Sequence, residues 1–97
     1  MHVAALEMEL RLPESGSLKE KRSVIRHLLE TSRRRFGVSG SEVDHQDLRQ
    51  RAALGFAFVA PTAGRVEEVL DRVDRFVWSD PRVTVLSSAR HWLDLDP

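Results

Sequence analysis

At 97 residues the chain is long enough for one domain, residues 1–97, that buries roughly two-thirds of its unfolded surface around a single core. The absence of cysteine excludes a disulfide framework, a thiolate metal site and a cysteine nucleophile, and without a run of about 18 apolar residues we expect a cytoplasmic protein with no membrane span. The formal net charge of zero at pH 7 argues against a protein that coats nucleic acid non-specifically.

The first predicted element is a half-buried strand over residues 2–12 (HVAALEMELRL), because apolar and charged residues alternate along it. One face carries Leu6, Met8, Leu10 and Leu12, and the other carries Glu7, Glu9 and Arg11. Ser17 and Glu20 then form a capping box, in which each side chain satisfies a free backbone N–H of the other. A helix should therefore begin at Leu18.

This first helix has an apolar face at helical spacing and should end at Gly37. The apolar face consists of Leu18, Ile25, Leu28, Leu29, Ser32 and Phe36, with Val24 at its margin. Lys21 projects toward the same face, and we expect its stem to lie along the edge of the domain with the ammonium group in water.

Two strands follow the first helix. Residues 38–46 (VSGSEVDHQ) predict a short irregular strand with a bulge at Gly40, and residues 51–60 (RAALGFAFVA) predict a strand inside the sheet. Because the polar connection between them is short, we expect the two strands to form a hairpin.

A second helix and a last strand complete the chain. Thr62 begins the helix, which should end by Asp80, since the residue before Pro81 avoids helical backbone. The apolar face of this helix consists of Val66, Val69, Leu70, Val73, Phe76 and Val77. Residues 82–95 (RVTVLSSARHWLDL) predict the last strand.

The element order β-α-β-β-α-β is that of a ferredoxin-like α+β sandwich, a four-stranded antiparallel sheet with two helices on one face. With the usual strand order 4-1-3-2, we expect the start of the first strand, the end of the last strand, the hairpin and the end of the first helix to share one end of the molecule. The residues predicted to gather there are His2, Arg33, Arg34, Arg35, His91 and residues 42–52.

Residues 42–52 (EVDHQDLRQRA) concentrate carboxylates, a histidine and two arginines in one short stretch. Strand alternation predicts that Glu42 and Asp44 share one face while His45 points to the other. Such density fits three alternatives: a metal or acid–base site, an anion-binding patch, or a polar hairpin that forms its own ion pairs. We expect the hairpin to be structural, with ion pairs that fasten the end of the first helix.

A metal or catalytic site in this motif needs more than the motif supplies. Two ligands from one strand would require His2 and His91 from neighbouring strands to complete a transition-metal site. Acid–base catalysis would require a pocket, and no sequence pattern indicates one. The candidate groups for such catalysis are Glu42, Asp44, Asp47 and His45. No phosphate-cradling or dinucleotide-binding glycine motif is present. We therefore predict no catalytic activity, no metal and no cofactor.

Cations form a stripe on the first helix beside its buried face. The stripe consists of Lys19, Arg22, Arg26 and Arg33, about 20 Å long at 1.5 Å per residue. Residues 17–51 carry nine basic and five acidic side chains, and Arg49 and Arg51 would extend the stripe near the hairpin. Such a stripe can contact the phosphates of a nucleic acid. The alternative is a solvated face with Arg26–Glu30 and Glu30–Arg34 pairs.

The aromatic residues do not favour base recognition. RNA-binding sheets stack bases on aromatics of the open sheet face. This chain has six aromatic residues and no tyrosine. Phe56 and Phe58 share one face of the third strand, and we expect that face to lie under the helices. With charged residues on the open face of the first strand, recognition of shape and phosphates is the more plausible mode.

Self-association is a hypothesis of a different class. The second helix places Trp78 on a flank that also carries the carboxylates of Glu67, Asp71 and Asp74, and Trp92 lies in the last strand. Tryptophan is enriched at interfaces, and an acidic flank with a basic stripe on one domain allows docking between copies. The alternative is that both indoles cover the edges of the core.

Three segments together resemble the YlxP-like family of small bacterial proteins, a domain of unknown function: SLKEKR at 17–22, EVDHQDLRQRA at 42–52 and LGFAFV at 54–59. The resemblance spans nearly the whole chain and implies a ferredoxin-like fold without an established activity. Because such proteins tend to be encoded beside translation and ribosome-maturation factors, it also implies a translation-linked role by association.

Our working hypothesis is a non-catalytic accessory protein that binds RNA or a ribosomal particle. The alternative is a protein-interaction module that acts through homodimerisation, with an enzyme or metal site around residues 42–47 as a third reading.

Overall fold

The computed structural model describes residues 1–94 and has six elements. They are β1 (His2–Arg11), α1 (Leu18–Phe36), β2 (Ser39–Asp44), β3 (Arg51–Ala60), α2 (Ala63–Trp78) and β4 (Thr84–Trp92). The strands form one antiparallel sheet in the order β2-β3-β1-β4, which confirms the ferredoxin-like fold and its strand order. The last predicted strand extended to Leu95, which lies outside the described residues.

Both helices cover the same face of the sheet. Leu6 of β1 pairs with Phe56 of β3, so the two side chains share a face, and both are fully buried in the core. The alternation predicted for β1 is confirmed, since the exposed fraction of Leu6, Met8, Leu10 and Leu12 is at most 1%. Phe58 packs against the same core, which confirms that Phe56 and Phe58 lie under the helices.

Local signals set both ends of α1. The Ser17 hydroxyl accepts a hydrogen bond from the Glu20 N–H at 3.1 Å, as the capping box predicts. The Glu20 carboxylate accepts from the N–H of Gly16 at 2.8 Å, one residue earlier than the capping box requires. Gly37 ends the helix with a φ of 71°, a left-handed conformation that glycine adopts without a Cβ clash.

The predicted bulge at Gly40 is wrong in position. Gly40 pairs regularly with Phe56, and the register shifts between Glu42 and Asp44. Gly40 is needed for close approach instead, because a Cβ atom there would lie 3.0 Å from Cδ1 of Phe56 and 3.2 Å from Cδ2 of Leu29. The glycine at position 40, which predicted an irregular backbone, is therefore explained by the close packing of α1 on the sheet.

The predicted gathering of charged residues at one end of the molecule is also wrong. His2 pairs with Ala60, whereas Arg11 pairs with Arg51, so the β2–β3 hairpin lies at the Arg11 end of β1. Because α1 begins near that end, the hairpin meets the start of α1 and lies far from its C-terminal arginines. His91 pairs with Ala5 and remains near the His2 end.

Candidate nucleic-acid interface and the hairpin motif

Lys21 joins the first turns of α1 to the hairpin. Its side chain is only 1% exposed, and its Nζ lies 2.8 Å from Oε2 of Glu42. The same ammonium group donates a hydrogen bond to the carbonyl of His45 at 2.6 Å. The prediction that Lys21 reaches water is therefore wrong. The SLKEKR and EVDHQDLRQRA segments form one structural unit that this buried cation holds together.

The side chains of the hairpin alternate only in part as predicted. Glu42 faces α1 and the ring of His45 lies on the open face of the sheet, as expected, with Nε2 3.1 Å from Oε2 of Glu9. Arg51 donates to the same carboxylate oxygen at 3.2 Å. Asp44, which is 71% exposed, pairs in register with Ala53. The shared face predicted for Glu42 and Asp44 is wrong because the register shift lies between them and His45 has a positive φ of 64°.

The carboxylates of the motif therefore diverge. Glu42 is occupied by Lys21, Asp44 accepts the N–H of His45 at 2.7 Å, and Asp47 is exposed without a partner among residues 1–94. His91 lies at the other end of the sheet, where its Nε2 is 3.2 Å from Oε1 of Glu7. Within the described residues, no group of three or more His, Asp and Glu side chains could hold a metal ion.

Three cations in the first half of α1 are exposed and unpaired within residues 1–94, as is Arg34 near the end of the helix. Lys19, Arg22 and Arg26 form no ion pair and no side-chain hydrogen bond with any residue in the range 1–94. The Arg26–Glu30 and Glu30–Arg34 pairs predicted for a solvated face do not form within residues 1–94, but the face itself is exposed to solvent. These three side chains, which we call the cation stripe, keep their full charge toward solvent.

The cation stripe borders two surface hollows. Arg22 and Arg26 line both of them, one of about 320 Å³ beside β2 and one of about 390 Å³ that Lys19 also lines. The first hollow is lined by the carboxylates of Glu30 and Glu42 as well. Lys19, Arg22, Ser23 and Arg26 line the second hollow, so phosphates laid there would meet both guanidinium groups.

The other three predicted phosphate ligands have different surroundings. Arg33 donates to the carbonyl of Gly40 and is partly occupied. Arg51 is held by Glu9 on the open face of the sheet. Arg49 is exposed at the tip of the hairpin and has no partner among the described residues. Because the hairpin meets the start of α1, Arg49 lies at the same end of the molecule as Lys19.

Three contacts could not be found from local sequence patterns. The Lys21–Glu42 pair, the Arg33–Gly40 bond and the Glu9–Arg51 pair each join residues of different elements. The one available signal was the position of Lys21 on the apolar face of α1, since a lysine there needs a partner if it is buried.

Comparison with known proteins places the chain in a family. The family described as "Protein of unknown function (DUF503)" matches residues 3–90. The chain belongs to this family. A DUF503 relative, "Uncharacterized protein YlxP" of Bacillus subtilis (strain 168), is 36% identical over 86 residues, which are 89% of this chain and 94% of the relative. The resemblance to the YlxP-like family is confirmed, and neither description states a function.

Among solved structures, this DUF503 member is similar to "Structure of the REP associates tyrosine transposase bound to a REP hairpin". The TM-score is 0.48 at 12% identity, and the similarity covers 98% of this chain and 58% of that chain. Neither helix in residues 1–94 combines the length and the apolar character needed to cross a membrane.

Both tryptophans of this DUF503 member are exposed. The exposed fraction is 59% for Trp78 at the end of α2 and 42% for Trp92 at the end of β4. Trp92 pairs in register with Ala4, which is buried under the helices, so its backbone position belongs to the covered face of the sheet. No phenylalanine, tyrosine or tryptophan side chain of residues 1–94 therefore projects from a paired position of the open face.

Proposed function

We propose that the protein is a non-catalytic cytoplasmic accessory factor that binds RNA, free or within a ribosomal particle, through phosphate contacts. The observation that supports this most directly is the cation stripe: Lys19, Arg22 and Arg26 are exposed on one helix and unpaired within residues 1–94. Arg49 at the hairpin tip adds a further cation at the same end.

Unpaired cations favour phosphate binding for an energetic reason. An arginine already held by a carboxylate must give up that pair before it binds a phosphate, whereas a free guanidinium loses only water and counterions. The α2 surface illustrates the contrast, because Arg65 and Arg72 both bind Glu68 there, at 3.1 Å and 3.0 Å. The charge of the chain is balanced overall, so binding should be confined to α1 and the hairpin.

The open face of the sheet argues for recognition of shape and phosphates over recognition of bases. Glu7 and Glu9 lie on it, each paired with a histidine, and Arg51 also binds Glu9 there. Within residues 1–94, no phenylalanine, tyrosine or tryptophan side chain projects from a paired position of this face. Its imidazole rings are held by the glutamates, so it is a poor platform for stacking bases. We therefore expect little preference for base sequence.

The test measures RNA affinity as a function of salt. In fluorescence-anisotropy titrations with a single-stranded oligonucleotide, the double variant Arg22→Ala/Arg26→Ala should lower the slope of log K against log salt by about 1 to 2, because two phosphate contacts are removed. The matched control is Arg65→Ala/Arg72→Ala, which removes the same charge from α2. An equal loss of slope in both double variants would reject the cation stripe as the binding site.

Co-sedimentation tests the ribosomal part of the proposal. The wild type should sediment with ribosomes or their precursors at low salt, and Arg22→Ala/Arg26→Ala should remain in the supernatant. Sedimentation that is unchanged by this double variant would point to a protein contact instead.

A second proposed role is self-association. It is supported by the exposure of Trp78 and Trp92, since tryptophan is enriched at protein interfaces relative to the rest of the surface. This role does not compete with RNA binding, because neither tryptophan belongs to the cation stripe.

A further inference from the structure

β4 offers a free row of backbone groups. It forms one edge of the sheet, and the N–H of Leu93 donates to the carbonyl of Val3 at 3.0 Å. In an antiparallel ladder, residues that bond to the neighbouring strand alternate with residues that do not. Ser88, Arg90 and Trp92 therefore direct their N–H and C=O groups away from β1, toward the outside of the sheet.

The opposite edge of the sheet is protected. β2 has only six residues and a register shift near its end, and the side chain of Arg33 binds the outer carbonyl of Gly40. These are devices that discourage edge-to-edge pairing. β4 contains no proline and keeps a regular register from Ser87 to Trp92, with a register shift at Leu86. The side chain of Arg90 turns to Asp71 of α2. The regular stretch of β4 has six residues against four in β2, Ser39 to Glu42, so β4 is the more open edge.

Exposed apolar side chains accompany the open edge. The Arg90–Asp71 pair fixes one flank of α2 above β4. Trp78 follows Asp71 by two helical turns, about 10 Å. This distance equals about three residues of a strand, counted back along β4 from Arg90, so Trp78 lies near the level of Ser87. Leu86 and Trp92 of β4 are 41% and 42% exposed on the same edge.

We propose that β4 pairs antiparallel with β4 of a second copy of this chain, around a twofold axis at Ala89, to form a continuous eight-stranded sheet. This geometry rests on the proposed self-association and specifies its register. With the axis at Ala89, Ser87 lies opposite His91 of the partner subunit, and Arg90 lies opposite Ser88 of the partner subunit. Leu86, at the register shift of β4, borders this regular stretch. An axis at Arg90 would oppose two arginines, which costs stability.

The available area is consistent with a dimer. If a tryptophan contributes up to about 250 Å², the exposed fractions of 59% and 42% leave about 250 Å² of indole surface per chain. Two chains then supply about 500 Å² from tryptophan alone, against the roughly 1,200 Å² that a stable interface buries. The pairing of residues 87–91 of the two β4 strands and the exposed side chains of Leu86 and Leu93 supply further area.

Charge exchange at Ala89 tests the axis. Ala89 is exposed on the open face and would face itself across the twofold axis. In sedimentation-velocity experiments on the full chain, the wild type should dimerise with rising concentration.

Ala89→Asp and Ala89→Lys should each weaken the dimer by at least about tenfold, because like charges oppose each other. An equimolar mixture of the two variants should dimerise again. Ser39→Asp, at the protected edge, is the control and should dimerise like the wild type.

Each outcome decides a separate part of the proposal. A wild type that stays monomeric at about 1 mM, a weak affinity by any measure, would overturn both the self-association and this geometry. Dimers that persist in both single-charge variants, or a mixture that fails to recover, would overturn the axis at Ala89 while self-association stands. The proposal that the cation stripe of each subunit binds RNA phosphates stands under either result.

Discussion

At the scale of single residues, burial separates two kinds of basic side chain on α1. Lys21 is 1% exposed and bound to Glu42, whereas Lys19 is exposed and free of partners within residues 1–94. A buried cation without its partner is costly, but an exposed one costs nothing to leave in water. The first kind holds the fold together, and the second kind is available to a ligand.

Replacing Lys21 should therefore destabilise the protein strongly. Lys21→Met keeps most of the buried stem but leaves the Glu42 carboxylate, 18% exposed, without its ion-pair partner. We expect the free energy of unfolding to fall by about 3 kcal/mol, as measured by urea denaturation. Lys19→Met, which changes the same charge in water, should alter it by less than about 0.5 kcal/mol. A loss of the same size in both variants would show that the buried pair contributes little.

Asp80 gives the protein a pH-dependent contribution to stability. Its carboxylate accepts hydrogen bonds from the backbone N–H and the Nε of Arg82, at 2.9 Å and 3.0 Å, and a third from Nη2 at 2.7 Å. The side-chain hydrogen bond from Arg82 lowers the pKa of Asp80 below its ordinary value of 3.8, although burial opposes the shift. Because the folded pKa is the lower one, this contribution is complete above pH 3.8 and is lost as the pH falls through the folded pKa.

Asp80→Asn should expose this dependence. Near neutral pH we expect the variant to lose about 1 kcal/mol of unfolding free energy, a modest figure because Arg82 is half exposed. Urea denaturation at decreasing pH should show the difference from the wild type shrinking below about pH 4. Asp47→Asn, at an exposed position without a partner in residues 1–94, should track the wild type throughout. A difference that stays constant down to pH 2 would contradict the Asp80 assignment.

At the scale of elements, periodicity predicted what local sequence determines. Alternation identified β1, and the capping box and Gly37 gave both ends of α1, because caps and buried faces depend on neighbours in the sequence. The hairpin was predicted as an element, but its side-chain directions were predicted only in part. A register shift after Glu42 and the left-handed backbone of His45 remove Asp44 from the face of Glu42, and both depend on pairing with β3.

The candidate site was predicted only in part for the same reason. The helical projection that predicts the cation stripe is local, and Lys19, Arg22 and Arg26 are indeed exposed together. Whether an arginine is free depends on distant partners, which is why the sequence could not separate Arg51, bound to Glu9, from Arg49, which is unbound within residues 1–94.

At the scale of the whole molecule, strand direction decides which groups meet. Antiparallel pairing of β1 with β3 brings the hairpin to the start of α1, so the cation stripe and Arg49 share one end. α1 contacts β2 at one edge of the sheet, and β4 forms the other edge. In the proposed dimer, seven strand spacings of about 4.8 Å would separate the two β2 strands, about 34 Å before the sheet twists.

This separation predicts that dimerisation strengthens the binding of long RNA only. A long single strand can reach the cation stripes of both subunits, so the second contact forms at a high effective concentration. An oligonucleotide of about 10 nucleotides covers one surface and gains nothing from the second. In anisotropy titrations, Ala89→Asp should bind the short oligonucleotide like the wild type and bind a long strand at least about tenfold more weakly.

The mixed Ala89→Asp and Ala89→Lys dimer separates this effect from the added charge. If two linked surfaces cause the gain, the mixture should recover the wild-type affinity for the long strand, because the twofold contact is restored while the net charge at Ala89 cancels. If Ala89→Asp instead bound short and long strands more weakly by the same factor, the change in net charge would explain the loss of affinity. The arrangement of two cation stripes across one sheet would then not govern the affinity for RNA.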